Sequence, residues 1–239
     1  MKTPKFNLAK AILFQNDDYL VVNKPPFLST LEDRNEPINL LQSVREVEPD
    51  AQVCHRLDKE TSGVLAIARH PEAYRSLSVQ FEERTVEKVY HAVVEGIHKF
   101  ENELVDLPIL KQRDGTVKID RLGKKAQTYF TTLQPFKNHT LVECRPITGR
   151  MHQIRLHLAS LQAPICSDTT YGGKVFYLSS VKRGYNLKKH TEEEPFIRRF
   201  ALHARRLSFL GLDDEKIEVL APYPKDLAAL LNQLSANLR

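Results

Sequence analysis

No uninterrupted apolar run in the 239 residues exceeds five, a length that Val64-Leu65-Ala66-Ile67-Ala68 reaches. A membrane-spanning helix needs about 20 such residues and a secretory leader an apolar stretch of about 7–15, so neither is available. Five residues of this kind suit a short strand covered on both faces, and the chain is long enough to build that cover. Glycine narrows the choice further. The nine glycines, at 63, 96, 115, 123, 149, 172, 173, 184 and 211, form neither GxGxxG nor GxxxxGK[ST]. The usual dinucleotide fold and phosphate-binding loop are thereby excluded. Cys54, Cys144 and Cys166 lie far apart without a CxxC pair. That argues against a disulfide framework or structural zinc and fits a reducing cytoplasm. Thirty-five Lys and Arg against 30 Asp and Glu leave a net charge of +5, a mildly basic balance compatible with an anionic partner.

Periodicity and punctuation predict the elements. Tyr19–Asn23 reads as a strand ended by Pro25-Pro26, where two backbone donors are missing. Pro71 suits the first turn of a helix over 71–83, with Tyr74, Leu77 and Phe81 at helical spacing. Glu87–Glu95 reads as a strand ending at Gly96, with Tyr90, Ala92 and Val94 on one face. Residues 111–125 carry six basic side chains around Gly115 and Gly123 and read as a basic hairpin. Strands over 128–132 and 140–144 precede a helix over 151–161. Residues 178–195 show no period and read as an irregular insertion, and 182–206 hold eight Lys or Arg. After Pro224, Leu227, Leu230, Leu231, Leu234 and Leu238 stripe a terminal helix. Strands and helices do not alternate strictly, so the class is α+β rather than parallel α/β. No linker divides the chain, which reads as one domain over 1–239.

Three stretches set polar residues densely beside apolar strands. In His55-Arg56-Leu57-Asp58-Lys59-Glu60-Thr61-Ser62-Gly63, Asp58 stands where a loop carries function on a rigid sheet; its ordinary role would be to cap a turn. In Thr148–Leu158, a helix from 151 would put His152, Arg155 and Leu158 in one row; its ordinary form would be an amphipathic helix with a solvated cationic face. His152 and His157, about 140° apart around such a helix, would not jointly ligate a metal. Tyr90 is by default a core tyrosine, or else an aromatic floor on which a planar base stacks.

HRLDKETSGVLAIAR at 55–69 closely resembles the signature of the RluA-type RNA pseudouridine synthases. DDYLVVNKPP at 17–26, ERTVEKVYHAVVEG at 83–96, KKAQT at 124–128, TGRMHQIRLHLASLQAPICSD at 148–168 and LHARRLSF at 202–209 extend the resemblance, in order, over nearly the whole chain. Two positions depart from it: Phe27 and Ser167 stand where the family usually has glycine. The resemblance implies a mixed, mainly antiparallel central sheet flanked by helices, with a central active-site cleft. It assigns the catalytic set to Asp58 as nucleophile, Tyr90 against the extruded base and assisting removal of the C5 proton, and Arg155 as the cation that keeps Asp58 ionised. Arg56 would support the extruded conformation. Arg150, His152, Lys124 and Lys125 join it as RNA-binding residues. No metal and no cofactor is implied. The partner is a structured RNA, ribosomal or transfer; the protein is expected to be a cytoplasmic monomer without membrane contact. The chain is expected to open directly on the catalytic domain, without the N-terminal RNA-binding domain that many relatives carry.

Two rival readings belong to other classes. One is a non-catalytic RNA-binding or ribosome-assembly factor on the same fold, which the presence of Asp58, Tyr90 and Arg155 disfavours. The other is a metal hydrolase using His55, His152, His157 and the cysteines, which have no ligand spacing.

Overall fold

The computed structural model describes residues 6–32, 38–182, 184–186 and 191–238. Arg183, Lys188 and Lys189 of the basic 182–206 stretch, and with them part of the 178–195 segment, lie outside the described residues. In chain order the elements are α1 (Leu8–Ala11), β1 (Ile12–Gln15), β2 (Tyr19–Lys24), α2 (Leu40–Arg45), β3 (Gln52–Val53), β4 (Ser62–Ala68), α3 (Pro71–Glu83), β5 (Glu87–Glu95), β6 (Glu103–Asp106), β7 (Ile109–Lys111), β8 (Val117–Ile119), β9 (Gln127–Pro135), β10 (His139–Pro146), α4 (Gln153–Ser160), β11 (Leu202–Leu210), β12 (Lys216–Leu220) and α5 (Lys225–Ala236). The class is α+β, and among the described strand pairs every registered pairing but one is antiparallel.

The chain forms two units, Met1–Tyr90 with His203–Pro222 and His91–Leu202 with Tyr223–Arg239. In the first, the strands run β1-β2-β4-β11, with β3 on β4 and β12 on β11. All seven residues of β4 are buried, as a run apolar on both faces requires. Tyr19, Leu20, Val21 and Val22 of β2 and Ala73 and Leu77 of α3 share its core. The exception to antiparallel pairing is β4 with β11, in register at Ser62–His203 and Ala204–Gly63. Gly63 has φ +120°, and a Cβ there would stand 2.1 Å from the Ala204 carbonyl oxygen, so only glycine lets the two backbones meet.

In the second unit the sheet runs through β10, β9 and β6. The predicted basic hairpin is the separate pair β7–β8, whose Ile109 and Val117 pack with Leu156 of α4. Two predicted boundaries shift for local reasons. Helix α4 starts at Gln153 rather than 151, because His152 holds a left-handed backbone (φ 53°) that a helix cannot include. In the terminal stripe Leu227, Leu230 and Leu234 are buried, whereas Leu238 lies past the end of α5 and is 47% exposed. Among the described residues no helix is long and apolar enough to cross a membrane.

Candidate active site

In the first unit, Asp58 is half-buried in the segment between β3 and β4, and its neighbours are fixed through backbone rather than by secondary structure. The Thr30 hydroxyl donates to the Leu57 carbonyl at 3.0 Å and accepts from the Leu57 N–H at 3.2 Å. Leu57 itself is buried. On the other side, the Thr61 N–H donates to the Asp58 carbonyl at 3.0 Å and closes a turn. Lys24 is wholly buried, and its ammonium donates to the carbonyls of Pro25 (3.0 Å), Leu28 (2.8 Å) and Lys59 (3.1 Å). The Phe27 N–H also donates to Lys59, at 2.9 Å. The loop after β2 is thus tied to the residue that follows Asp58.

Upstream, His55 stacks on Phe81 with centroids 4.7 Å apart, and its Nε2 accepts from the Ala66 N–H at 3.1 Å. Burial first, and the charge of Lys88 second, push this imidazole down to about 3. It is therefore neutral at physiological pH, as its acceptor role demands. Arg56 is exposed. Tyr90 is half-buried on β5 against the core of this unit. Its phenol is pushed up first by burial and then by the negative charge of Asp58. The carboxylate of residue 58 and the ring of residue 90 are thus near enough to interact electrostatically, and the phenol keeps its proton.

In the second unit, α4 is held by buried polar groups rather than by a solvated face. Gln153 accepts from the Thr148 hydroxyl (2.7 Å) and the Arg150 N–H (3.0 Å), and donates to the Gln127 carbonyl and the Thr128 hydroxyl, both at 2.9 Å. His157 bonds Thr128 at 3.0 Å through Nδ1 and the Leu107 carbonyl at 3.0 Å through Nε2. The guanidinium of Arg155 is buried and meets Asp168 through two bonds, Nε to Oδ2 at 2.6 Å and the second amino nitrogen to Oδ1 at 2.7 Å. Its flat faces lie 4.8 Å from the Tyr171 ring and 4.2 Å from the Phe200 ring. A fork held by two coplanar bonds and two rings has one orientation. Tyr171 in turn bonds His152 Nδ1 at 2.8 Å.

Of the RNA-binding candidates, Lys124 and Lys125 are exposed, and the half-buried Arg150 donates through Nε to the Lys125 carbonyl at 3.1 Å. The 182–206 stretch contributes less than its charge count promised. Arg199 is buried on Asp226 (2.7 Å), Arg198 meets Glu194 (3.0 Å) and Arg206 meets Glu218 (2.8 Å). Sequence reading gave no role to Thr30, Gln153, Asp168, Tyr171 or Phe200. Gln153 and Asp168 left a trace, both as letters of the 148–168 motif. Among the described residues, no three His, Cys, Asp or Glu side chains gather as metal ligands.

The comparisons with known proteins follow the same residues. The sequence model of the RNA pseudouridylate synthase family matches residues 18–160. The chain is 32% identical over 232 residues to the ribosomal large subunit pseudouridine synthase C of Vibrio cholerae, covering 95% of this chain and 70% of that protein. It is 33% identical to an uncharacterized RNA pseudouridine synthase of Zymomonas mobilis, over 91% of this chain and 95% of the relative. Among solved structures, human RNA pseudouridylate synthase domain containing 4 is similar with a TM-score of 0.71 and 25% identity, over 95% of this chain and 94% of the other.

Proposed function

The chain belongs to the RNA pseudouridylate synthase family, and from that premise we propose that it isomerises uridine to pseudouridine in a structured RNA, with ribosomal RNA as the substrate class. The observation that carries this reading is the family match over residues 18–160, and the negative charge of Asp58 acts on the Tyr90 phenol within the same unit. Relatives named for the ribosomal large subunit support the choice of RNA.

The reaction breaks the C1′–N1 bond, turns the uracil and joins C5 to C1′; C5 loses a proton and N1 gains one. Asp58 acts as the nucleophile, on the sugar or on the base, and its carboxylate must be ionised to do so. The uridine reacts only when extruded from its stack, and Tyr90 lies against the extruded base. Its phenol assists removal of the C5 proton, a loss balanced by the proton that N1 gains. Arg155, held in one orientation by Asp168, is assigned a supporting role in the same reaction. Arg56 supports the extruded strand; Arg150, His152, Lys124 and Lys125 hold phosphates, contacts that position RNA without reading its sequence.

The reading takes 1–239 as a cytoplasmic, monomeric catalytic domain that needs no cofactor. Asp58→Asn tests it, with pseudouridine mapped across total RNA from cells with and without the gene. Loss of specific ribosomal pseudouridines, not restored by Asp58→Asn although that variant still binds RNA, is the expected result. Sites restored by Asp58→Asn would instead favour a binding or assembly factor, and sites in transfer RNA would move the substrate.

A further inference from the structure

Phe27 is an aromatic residue in a place that neither its backbone nor its burial explains. Its φ of 64° is left-handed, a conformation that costs a bulky side chain free energy and glycine none. The residue is also 39% exposed, so a substantial part of the ring stays open to solvent. A strained position that persists while part of its ring stays open to solvent points to a use for that ring. The position is also firmly held. The Phe27 N–H donates to Lys59, the residue after Asp58, and the same carbonyl receives the buried Lys24 ammonium, which also grips Pro25 and Leu28.

We propose that Phe27 is a stacking platform for a nucleobase that flanks the target uridine. This rests on the proposed function. The ring stands on a loop bonded to the catalytic segment, and that segment carries two exposed cations, Arg56 and Lys59, suited to the phosphates on either side of a splayed base. Every base presents a π face, so an unpaired neighbour of any identity can be received. Tyr90 serves the extruded uridine itself; Phe27 receives the next base, which loses its stacking partner when the uridine leaves.

The test uses the full chain, a uridine-containing oligoribonucleotide with 2-aminopurine beside the uridine, and the variants Phe27→Gly, Phe27→Leu and Phe27→Trp. Wild type is expected to quench the 2-aminopurine on binding. Phe27→Gly should lose the quench and bind about 5- to 150-fold more weakly, the span that about 1–3 kcal/mol per stacked base converts to. Its Tm should be unchanged or raised, since glycine relieves the left-handed backbone. Phe27→Trp should restore quenching and affinity, and Phe27→Leu should not. Absence of quenching by wild type, full affinity in Phe27→Gly, or rescue by Phe27→Leu would each overturn the platform. If wild type quenches yet leaves no pseudouridine in any RNA, the catalytic reading fails and the platform stands. If pseudouridine forms while Phe27→Gly binds as wild type does, the reverse holds.

Discussion

Arg155 and Asp168 form an ion pair whose side chains are only 6% and 1% exposed. Burying both charges gains little net stability, because desolvation offsets most of the attraction; removing one member leaves the other unpaired in a low dielectric. Arg155→Ala and Asp168→Asn should each therefore cost about 3–5 kcal/mol in urea unfolding. Arg155→Met combined with Asp168→Leu should recover most of that stability, since apolar groups of similar size need no partner. If Arg155 also serves the reaction, as proposed, the stable double variant will still make no pseudouridine on rRNA. Wild-type turnover from it would show the pair to be structural only. The sequence signalled Arg155 and Asp58 through their motifs. It could not signal the fork, because the Arg155–Asp168 bonds and the rings of Tyr171 and Phe200 depend on where the chain returns after α4. The two departures from the family pattern now have a backbone reason: Phe27 and Ser167 both have φ 64°, a conformation that glycine adopts freely. Ser167 is compensated by its hydroxyl, which accepts from the Phe176 N–H at 3.1 Å; Phe27 shows no such return.

Elements with a strong local signal were legible. Helix α3 spans Pro71–Glu83 as its punctuation predicts, with His70 accepting the Ala73 N–H as N-cap, and β5 spans Glu87–Glu95. Short elements were not, since α2 is a six-residue helix capped by Asn39 and too brief for periodicity to register. Strand β11 was visible only as a motif, because its place is set by pairing with β4 across 141 residues of sequence. That pairing begins where the Asp58 segment enters β4, and Gly63 permits it. Gly63→Ala should destabilise the protein by about 2–5 kcal/mol, combining an unfavourable positive φ with overpacking against the Ala204 carbonyl. The measurement is the urea midpoint beside wild type, and activity should fall with it because the proposed nucleophile, Asp58, lies five residues upstream. An unchanged midpoint would mean that β4 and β11 do not approach this closely.

Net charge alone is a poor guide to where this protein meets RNA. Of the +5 balance, the cations at Arg155 and Arg199 are buried on Asp168 and Asp226 and present no charge to a phosphate. Arg198 and Arg206 bond Glu194 and Glu218 at the surface, so releasing them to RNA would first break an ion pair. Lys124 and Lys125 differ: both are exposed, and the backbone beneath them is fixed by the Ile109–Lys124 bridge and by Arg150 on the Lys125 carbonyl. A phosphate contact reveals itself in the salt dependence of binding, because each neutralised phosphate releases counterions; the slope of log K against log salt is about −0.7 to −0.9 per contact. Lys124→Ala with Lys125→Ala should therefore make the slope shallower by about 1.4–1.8, measured by anisotropy on a ribosomal RNA fragment across a salt series. Arg198→Ala with Arg206→Ala removes the same formal charge and should leave the slope where it was. Equal effects from the two pairs would mean that RNA responds to the overall charge of the protein; a change confined to the lysines would place the phosphate backbone along the 124–125 turn.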